Sequence, residues 1–415
     1  MVGRPEDGRI CCRVITLVIV LIVAIIGGGC NEQQGRLSDD SPVPSLIPPS
    51  STPLESATQR VEQKTATIKV GTPTNIPEAT RTPAEIVQEP YIGIWISGDE
   101  LATLPTYGPA WEQLRAVADR SAGEPNISAQ SQMNDVHVLA KALVYARTGL
   151  HGYRDEVIEN LMKAIGTETD GTSLALGRAL VAYIISADLI NLPLDRDKDQ
   201  RFREWLRDTL DETLKGRTLR STHEKRPNNW GAHAGASRAA AALYLGDAAE
   251  LERTALVFKG YLGDRSAYSD FEFGELWWQA DPSNPVAINP KGAMKEGHLI
   301  DGSMPEEMRR AGKFRWPPKK TIYAWEGLQG ALVQAEILHR AGYPAWEWEN
   351  QALLRTVRFL YGIGWEPEGD DEWQPWLINY AYGTSFPAVT PARPGKNMGW
   401  TDWTHSRDRV PLTGE

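Results

Sequence analysis

Between Gln132 and Gly149 the chain reads QMNDVHVLAKALVYARTG, and its apolar residues return every three or four positions. Val136, Leu139, Leu143 and Ala146 fall on one face of a helix, and Gly149 marks its stop. Val138, Ala142 and Tyr145 make a second apolar stripe, so this helix is expected to be covered on both sides. The rhythm returns in YRDEVIENLMKAIG, LALGRALVAYIISADLI, QRFREWLRDTLDETLKG, GASRAAAALYLGD and AAELERTALVFKGYLG, and again in IYAWEGLQGALVQAEILHRAG and NQALLRTVRFLYGIG. Short connections marked by Gly and Asp predict antiparallel helical hairpins. No series of period-two alternation predicts strands. The expected fold is all-α, a curved array or toroid of helix pairs. Ser266 to Thr321 breaks the rhythm over a length that is too great for a simple connector, and loops of that length are usually functional.

The 415 residues suffice for two average domains or one large one. The aromatics decide where folding begins: none of the 35 Phe, Trp and Tyr precedes Tyr91. A stretch without aromatics rarely builds a core, so the helical domain is expected over 91–415. Ahead of it, Arg4, Arg9 and Arg13 precede the apolar run Val14–Ile26, then three glycines and Cys30. Such a run falls short of the ~20 residues that span a bilayer and fits a secretory signal. GGGC at 27–30 is similar to a bacterial lipoprotein processing site, with Cys30 as the lipidated residue, although Gly27 stands where a branched apolar residue is usual. An uncleaved membrane anchor is the other reading of 1–30, and both put the domain outside the cytoplasm. Residues 31–90 read as a linker: 41–90 holds nine prolines and thirteen Ser or Thr, the composition of an extended tether.

Charge and cysteine narrow the chemistry. Over 91–415 there are 44 acidic and 36 basic residues, which argues against nonspecific nucleic-acid binding. No cysteine follows Cys30, so the domain has no disulfide framework, thiolate metal site or Cys nucleophile. No His-Glu or His-His spacing suggests a metal, and no P-loop or dinucleotide fingerprint suggests a cofactor. One local excess stands out within this acidic chain. Arg309, Arg310, Lys313, Arg315, Lys319 and Lys320 put six cations in twelve residues with no acid. Such a run is often a solvated face, but beside a cleft it would steer an anionic chain.

RPNNWGAHAGAS, Arg226–Ser237, opens a helix in an unusual way. Asn228 suits an N-cap and the small residues suit close packing. Neither accounts for Asn229, Trp230 and His233 together. NNWGAHAGASRAAAALYLGD at 228–247 resembles the Asn-bearing helix of alginate-lyase-type polysaccharide lyases. DGSMPEEMRR at 301–310, with IYAWEGLQGALVQAEIL at 322–338, is similar to that family's acidic-Gly, Pro-Glu, Arg and Tyr segment. YGTSFPAVTPARPGKNMGWTDWTH, ending at His405, is similar to its tail. The resemblance implies an (α/α) toroid and β-elimination at a uronic acid. Donors neutralise the substrate carboxylate, a base takes the C5 proton and an acid protonates the leaving oxygen. It implies Asn229 as the neutralising Asn, Arg310 as the motif Arg and Tyr323 as the acid, with the base role also open to it. The family carries His directly after the Asn, and here that place holds Trp230. His233 lies one turn on and shares a helix face with Asn229, so it can take the vacant base role.

Trp230 is expected to line a sugar-stacking wall, with Lys313 and Arg315 holding the anionic chain. Trp400 and Trp403, and with them Trp373 and Trp376, are further stacking candidates; His405 and His223 are weaker candidates for base or substrate contact. Each has an ordinary alternative: Asn229 as a cap, Trp230 and Tyr323 as core, His233 as a packed imidazole. Three functions are compatible with these residues. One is a lyase on a uronate-containing glycan. Another is a glycoside hydrolase on the same toroid, using two carboxylates among Asp301, Glu306, Glu307 and Glu326. The last is a surface-tethered glycan-binding protein without activity.

Overall fold

The computed structural model describes residues 92–392 and 394–406, so the segment 1–30 with Cys30 and the linker 31–90 lie outside the described residues. Fourteen α-helices are described. In chain order they are α1 (Gly98–Thr103), α2 (Pro109–Ala118), α3 (Asn134–Thr148), α4 (His151–Ala164), α5 (Ser173–Leu189), α6 (Arg196–Asp211) and α7 (Leu219–Lys225). There follow α8 (Asn229–Leu245), α9 (Ala248–Leu262), α10 (Pro305–Met308), α11 (Tyr323–Arg340), α12 (Trp348–Gly362), α13 (Gln374–Tyr382) and α14 (Thr401–Thr404). The strands are β1 (Met294–Lys295) and β2 (His298–Leu299), paired antiparallel with Met294 opposite Leu299. The fold is all-α, as the periodicity predicts, and agrees with a helical toroid. No helix among the described residues is long and apolar enough to cross a membrane.

Two kinds of helix alternate. In α4 and α6 a single stripe is buried, Phe202, Trp205, Leu206, Thr209 and Leu210 in the second case, with charge on the opposite face. By contrast α5 is buried along its whole length, and in α8 only Trp230, Leu243 and Leu245 are partly exposed. In α11 burial is continuous from Gly327 to Leu338. These are inner helices clothed by the amphipathic ones.

Small residues let the inner helices meet backbone to backbone. A Cβ on Gly330 would stand 2.5 Å from the Ala232 carbonyl carbon and the His233 nitrogen. A Cβ on Gly177 would stand 2.9 Å from the Ala234 nitrogen. Helix α8 is therefore gripped by α11 and by α5, which explains the Gly- and Ala-rich run after Trp230. The pairs also give direction. Gly330 meets Ala232, and Gln334, one turn on, meets Gly235; Gly177 meets Ala234, while Asp188 acts on Tyr244 near the far end. So α5, α8 and α11 run parallel, and their N-termini, the positive ends of their helix dipoles, point the same way.

Local signals set the boundaries. The Asn228 side chain accepts from the Trp230 N–H and starts α8; Gly246, at φ 71°, ends it; Asp247 then caps α9. The long irregular stretch is built in rather than draped. Trp278, Ile288, Ile300, Met304 and Met308 sink into the core. The Asn289 carboxamide ties the stretch to itself, donating to the Trp278 carbonyl and Ser303 Oγ and accepting from the Ala280 N–H.

Candidate active site

Asn229 is the first residue of α8 and is buried. Its backbone N–H donates to Glu307 Oε1, and its side-chain oxygen accepts from the Trp230 N–H at 2.9 Å. The carboxamide oxygen is thus turned into the helix end. The NH2 end makes no hydrogen bond among the described residues, and it is the end that can donate to an anion. Glu307, from α10, packs over Gly327, where a Cβ would lie 3.0 Å from its Oε1. Burial pushes the Glu307 carboxyl up to about 8, with the Asn229 N–H and Arg310 opposing and Glu306 and Glu326 adding to the rise. At neutral pH it is mostly a neutral acid that still accepts the Asn229 N–H.

Arg310 and Tyr323 meet despite the twelve residues between them. The Arg310 guanidinium carbon lies 4.4 Å from the centre of the Tyr323 ring, a cation–π contact. Both side chains are half-buried, and Tyr323 is the first residue of α11. The intervening loop does not separate the pair. Glu307 therefore links the two halves of the candidate site, holding Asn229 by its N–H and facing Arg310 one turn away.

His233 departs from the expected base role. It is 2% exposed, with its ring against the Glu326 backbone and its Nε2 buried without a protein partner. Burial, then Arg178 and Lys396, press its pKa far below the usual range. The ring stays neutral, yet a buried imidazole has no route to a sugar C5. The physical reason is that α8 is buried on every side from Gly231 to Ala242. Next to it Arg178 and Glu326 form an ion pair of 2.5 Å, bridging α5 and α11.

The other expected residues divide by exposure. Trp230 is half-buried, with the Arg226 guanidinium 5.1 Å from its ring, and so can form part of a wall. Lys313 and Arg315 are exposed. Trp400 and Trp403 are interior instead of stacking walls. Their indole N–H groups donate to the carbonyls of Val136 and Pro105, at 3.2 and 2.8 Å, and their ring faces are spent on packing. Trp373 is also core, while Trp376 is half-buried and donates to the Val389 carbonyl. His405 and His223 are buried, the first beside Glu336 and the second between Arg238 and Gln334.

The carboxylates of the hydrolase reading are each committed. Asp301 pairs with Arg355, Glu306 with Arg309, Glu326 with Arg178, and Glu307 with the Asn229 N–H. Among the described residues no cluster of His, Cys, Asp and Glu could hold a metal ion. Sequence reasoning overlooked Arg178, Lys396 and the positioning part of Glu307. Lys396 lies in the tail motif, and its pKa is lowered by burial and Arg178, with Glu326, Asp370 and Asp371 opposing. The tail resemblance was the one signal that pointed there.

Residues 162–266 match the model of the alginate lyase family. The matched stretch begins within α4 and takes in α5, α8 and Asn229; Arg310 and Tyr323 follow it in the chain. A comparison with curated proteins found no match. The family match supports the alginate-lyase-type resemblance that the sequence carries and, with it, polysaccharide lyase chemistry at the level of the family.

Proposed function

We propose that this protein is a polysaccharide lyase that cleaves a uronate-containing glycan by β-elimination. The observation that carries the reading is the Asn229–Glu307–Arg310–Tyr323 arrangement at the shared N-terminal end of the inner helices. The Asn229 NH2 and the Arg310 guanidinium bind the uronate carboxylate and spread the charge that grows as C5 loses its proton. The C5–H electrons form the C4=C5 double bond, and the bond from C4 to the glycosidic oxygen breaks. Tyr323 takes up the C5 proton and delivers a proton to the departing oxygen, so protons balance. Glu307 keeps Asn229 in place, and His233 supports the wall from within.

The test is an ultraviolet assay over a panel of anionic polysaccharides. A lyase leaves an unsaturated uronyl end that absorbs; a reducing end without absorbance would replace this reading with hydrolysis. A second reading, glycan binding without cleavage, is favoured by Trp230 in the place of the family His and by the burial of His233. Binding of a polyuronate with neither product would establish it.

Export belongs to the same proposal. Cys30 carries lipid, and the 31–90 linker holds the domain away from an extracytoplasmic membrane surface, the chain's one membrane contact. The partner is an anionic polysaccharide, not nucleic acid. If Cys30→Ser leaves processing and membrane partition unchanged, the lipid tether is wrong.

A further inference from the structure

The loop between Arg310 and Tyr323 carries an exposed aromatic platform that the elimination chemistry does not use. Trp316 is 39% exposed, and the His298 ring from β2 stacks on it with centres 4.7 Å apart and planes 10° from parallel. The platform is braced from below. Phe314 packs edge-on to Trp278 at 4.7 Å, the Trp278 indole donates to the Gly312 carbonyl, and Lys295 lies over the Phe314 ring. An exposed indole held flat by a second ring, on a loop anchored in the core, is a preorganised surface.

Cations flank it in the chain. Lys313, Arg315 and Lys319 are exposed and make no ion pair among the described residues, whereas Lys320 is paired with Glu368. The chain as a whole carries a net charge of −10, so this cluster runs against the global sign. An apolar ring face with unpaired cations suits a ligand that has apolar C–H faces and repeated negative charge. A polyuronate has both. Trp316 and Tyr323 are seven positions apart in the chain, so the two lie no more than about 25 Å apart and one extended glycan can reach both.

We propose that Trp316 and His298, with Lys313, Arg315 and Lys319, form a second saccharide-binding platform that holds an anionic glycan away from the point of cleavage. This rests on the anionic-glycan reading of the site and adds to it a preference for long chains. The chain spacing allows a separation of up to about 25 Å, which a polymer spans and a trisaccharide does not.

The measurement is binding of alginate polymer and of a uronate trisaccharide to the full chain carrying Tyr323→Phe, which keeps the ligand intact. Trp316→Ala, added to that background, should weaken polymer binding about tenfold, the worth of one stacked ring, and leave trisaccharide binding unchanged. Trp316→Phe should restore most of the loss, which a misfolded loop would not allow. The triple change Lys313→Ala, Arg315→Ala and Lys319→Ala should flatten the salt dependence of polymer binding. Equal polymer affinity with and without Trp316, no polymer binding at all, or equal loss for both ligands would overturn the platform. Absence of unsaturated product from the otherwise native chain, with the Trp316 effect intact, would remove the lyase reading and leave the platform standing.

Discussion

The two ends of α11 treat buried carboxylates in opposite ways. At the far end Glu336 is 1% exposed, and burial alone would raise its pKa; His405 and Arg340 overcome that and bring it down to about 2. Arg340 Nε donates to Glu336 at 2.6 Å, Trp346 Nε1 donates at 3.1 Å, and Arg340 also grips Glu100. At the near end Glu307 is equally buried, but it faces one N–H, a more distant Arg310 and two like charges, and it rises to about 8. Burial is the same and partners differ, so partners decide the charge. The far end is a closed structural lock. The near end leaves the Asn229 NH2 and a proton unspent, the features of a candidate site for a charged ligand.

The sharpest way to separate the ends is to remove one oxygen atom. Tyr323→Phe should cut turnover by about 10²–10⁴-fold, the range of a positioned acid or base, and leave thermal stability close to that of the parent. Loss of folding together with activity would make Tyr323 a structural residue and erase the contrast. The complementary change is Glu336→Ala. It should cost about 3 kcal/mol in denaturant unfolding, because Arg340 and His405 lose a buried partner. Specific activity per folded molecule should stay unchanged, since nothing at that end touches the ligand.

Acid and alkali should then pull the ends apart. Glu307 has its pKa raised above the usual 4.5, so its contribution to stability is full below about 4.5 and is lost as pH rises through about 8. Glu336 has its pKa lowered, so its contribution is present above about 4.5 and is lost as pH falls through about 2. Glu307→Gln keeps an acceptor for the Asn229 N–H and should change stability by no more than about 1 kcal/mol near pH 5. It should flatten the decline between pH 5 and 8. Unfolding curves for the two variants across pH should therefore diverge on opposite limbs; a shared limb would mean that the two carboxylates are not electrostatically distinct.

The scaffold was legible because burial leaves a period in the sequence, and helices α3 to α6, α8, α9, α11 and α12 follow that period, whereas the short α7 was not read. The candidate site was legible only where a residue type is constrained locally. Asn229 belongs at a helix start, and Arg310 and Tyr323 stand in motifs that meet across a twelve-residue loop. Depth left no such trace. Trp400 and Trp403 read as candidate platforms because an indole satisfied by a backbone carbonyl is written with the same letter as an exposed one. Glu307 read as a possible hydrolytic acid because sequence does not show that Gly327 makes room for it beneath the Asn229 N–H.

His233 poses the smallest and most discriminating test. The shared face with Asn229 holds as helix geometry, yet a face predicts access only where a helix has a solvent side. In α8 that side ends at Trp230: Gly330 of α11 and Gly177 of α5 press on the backbone at 232–234, and the His233 ring sits within. Its pKa is depressed, so the unfolded chain takes up a proton near 6.5 that the folded chain refuses. The contribution of His233 to stability is thus present above about 6.5 and falls away in acid. His233→Asn, smaller and uncharged, should remove part of the stability loss between pH 6.5 and 5. It should reduce turnover less than about tenfold and leave the pH–rate profile without a lost inflection, because the group neither titrates there nor reaches the sugar. A drop of about 10²-fold or more, with loss of the acidic limb of that profile, would return His233 to the role of base and require a motion that opens α8 to its ligand.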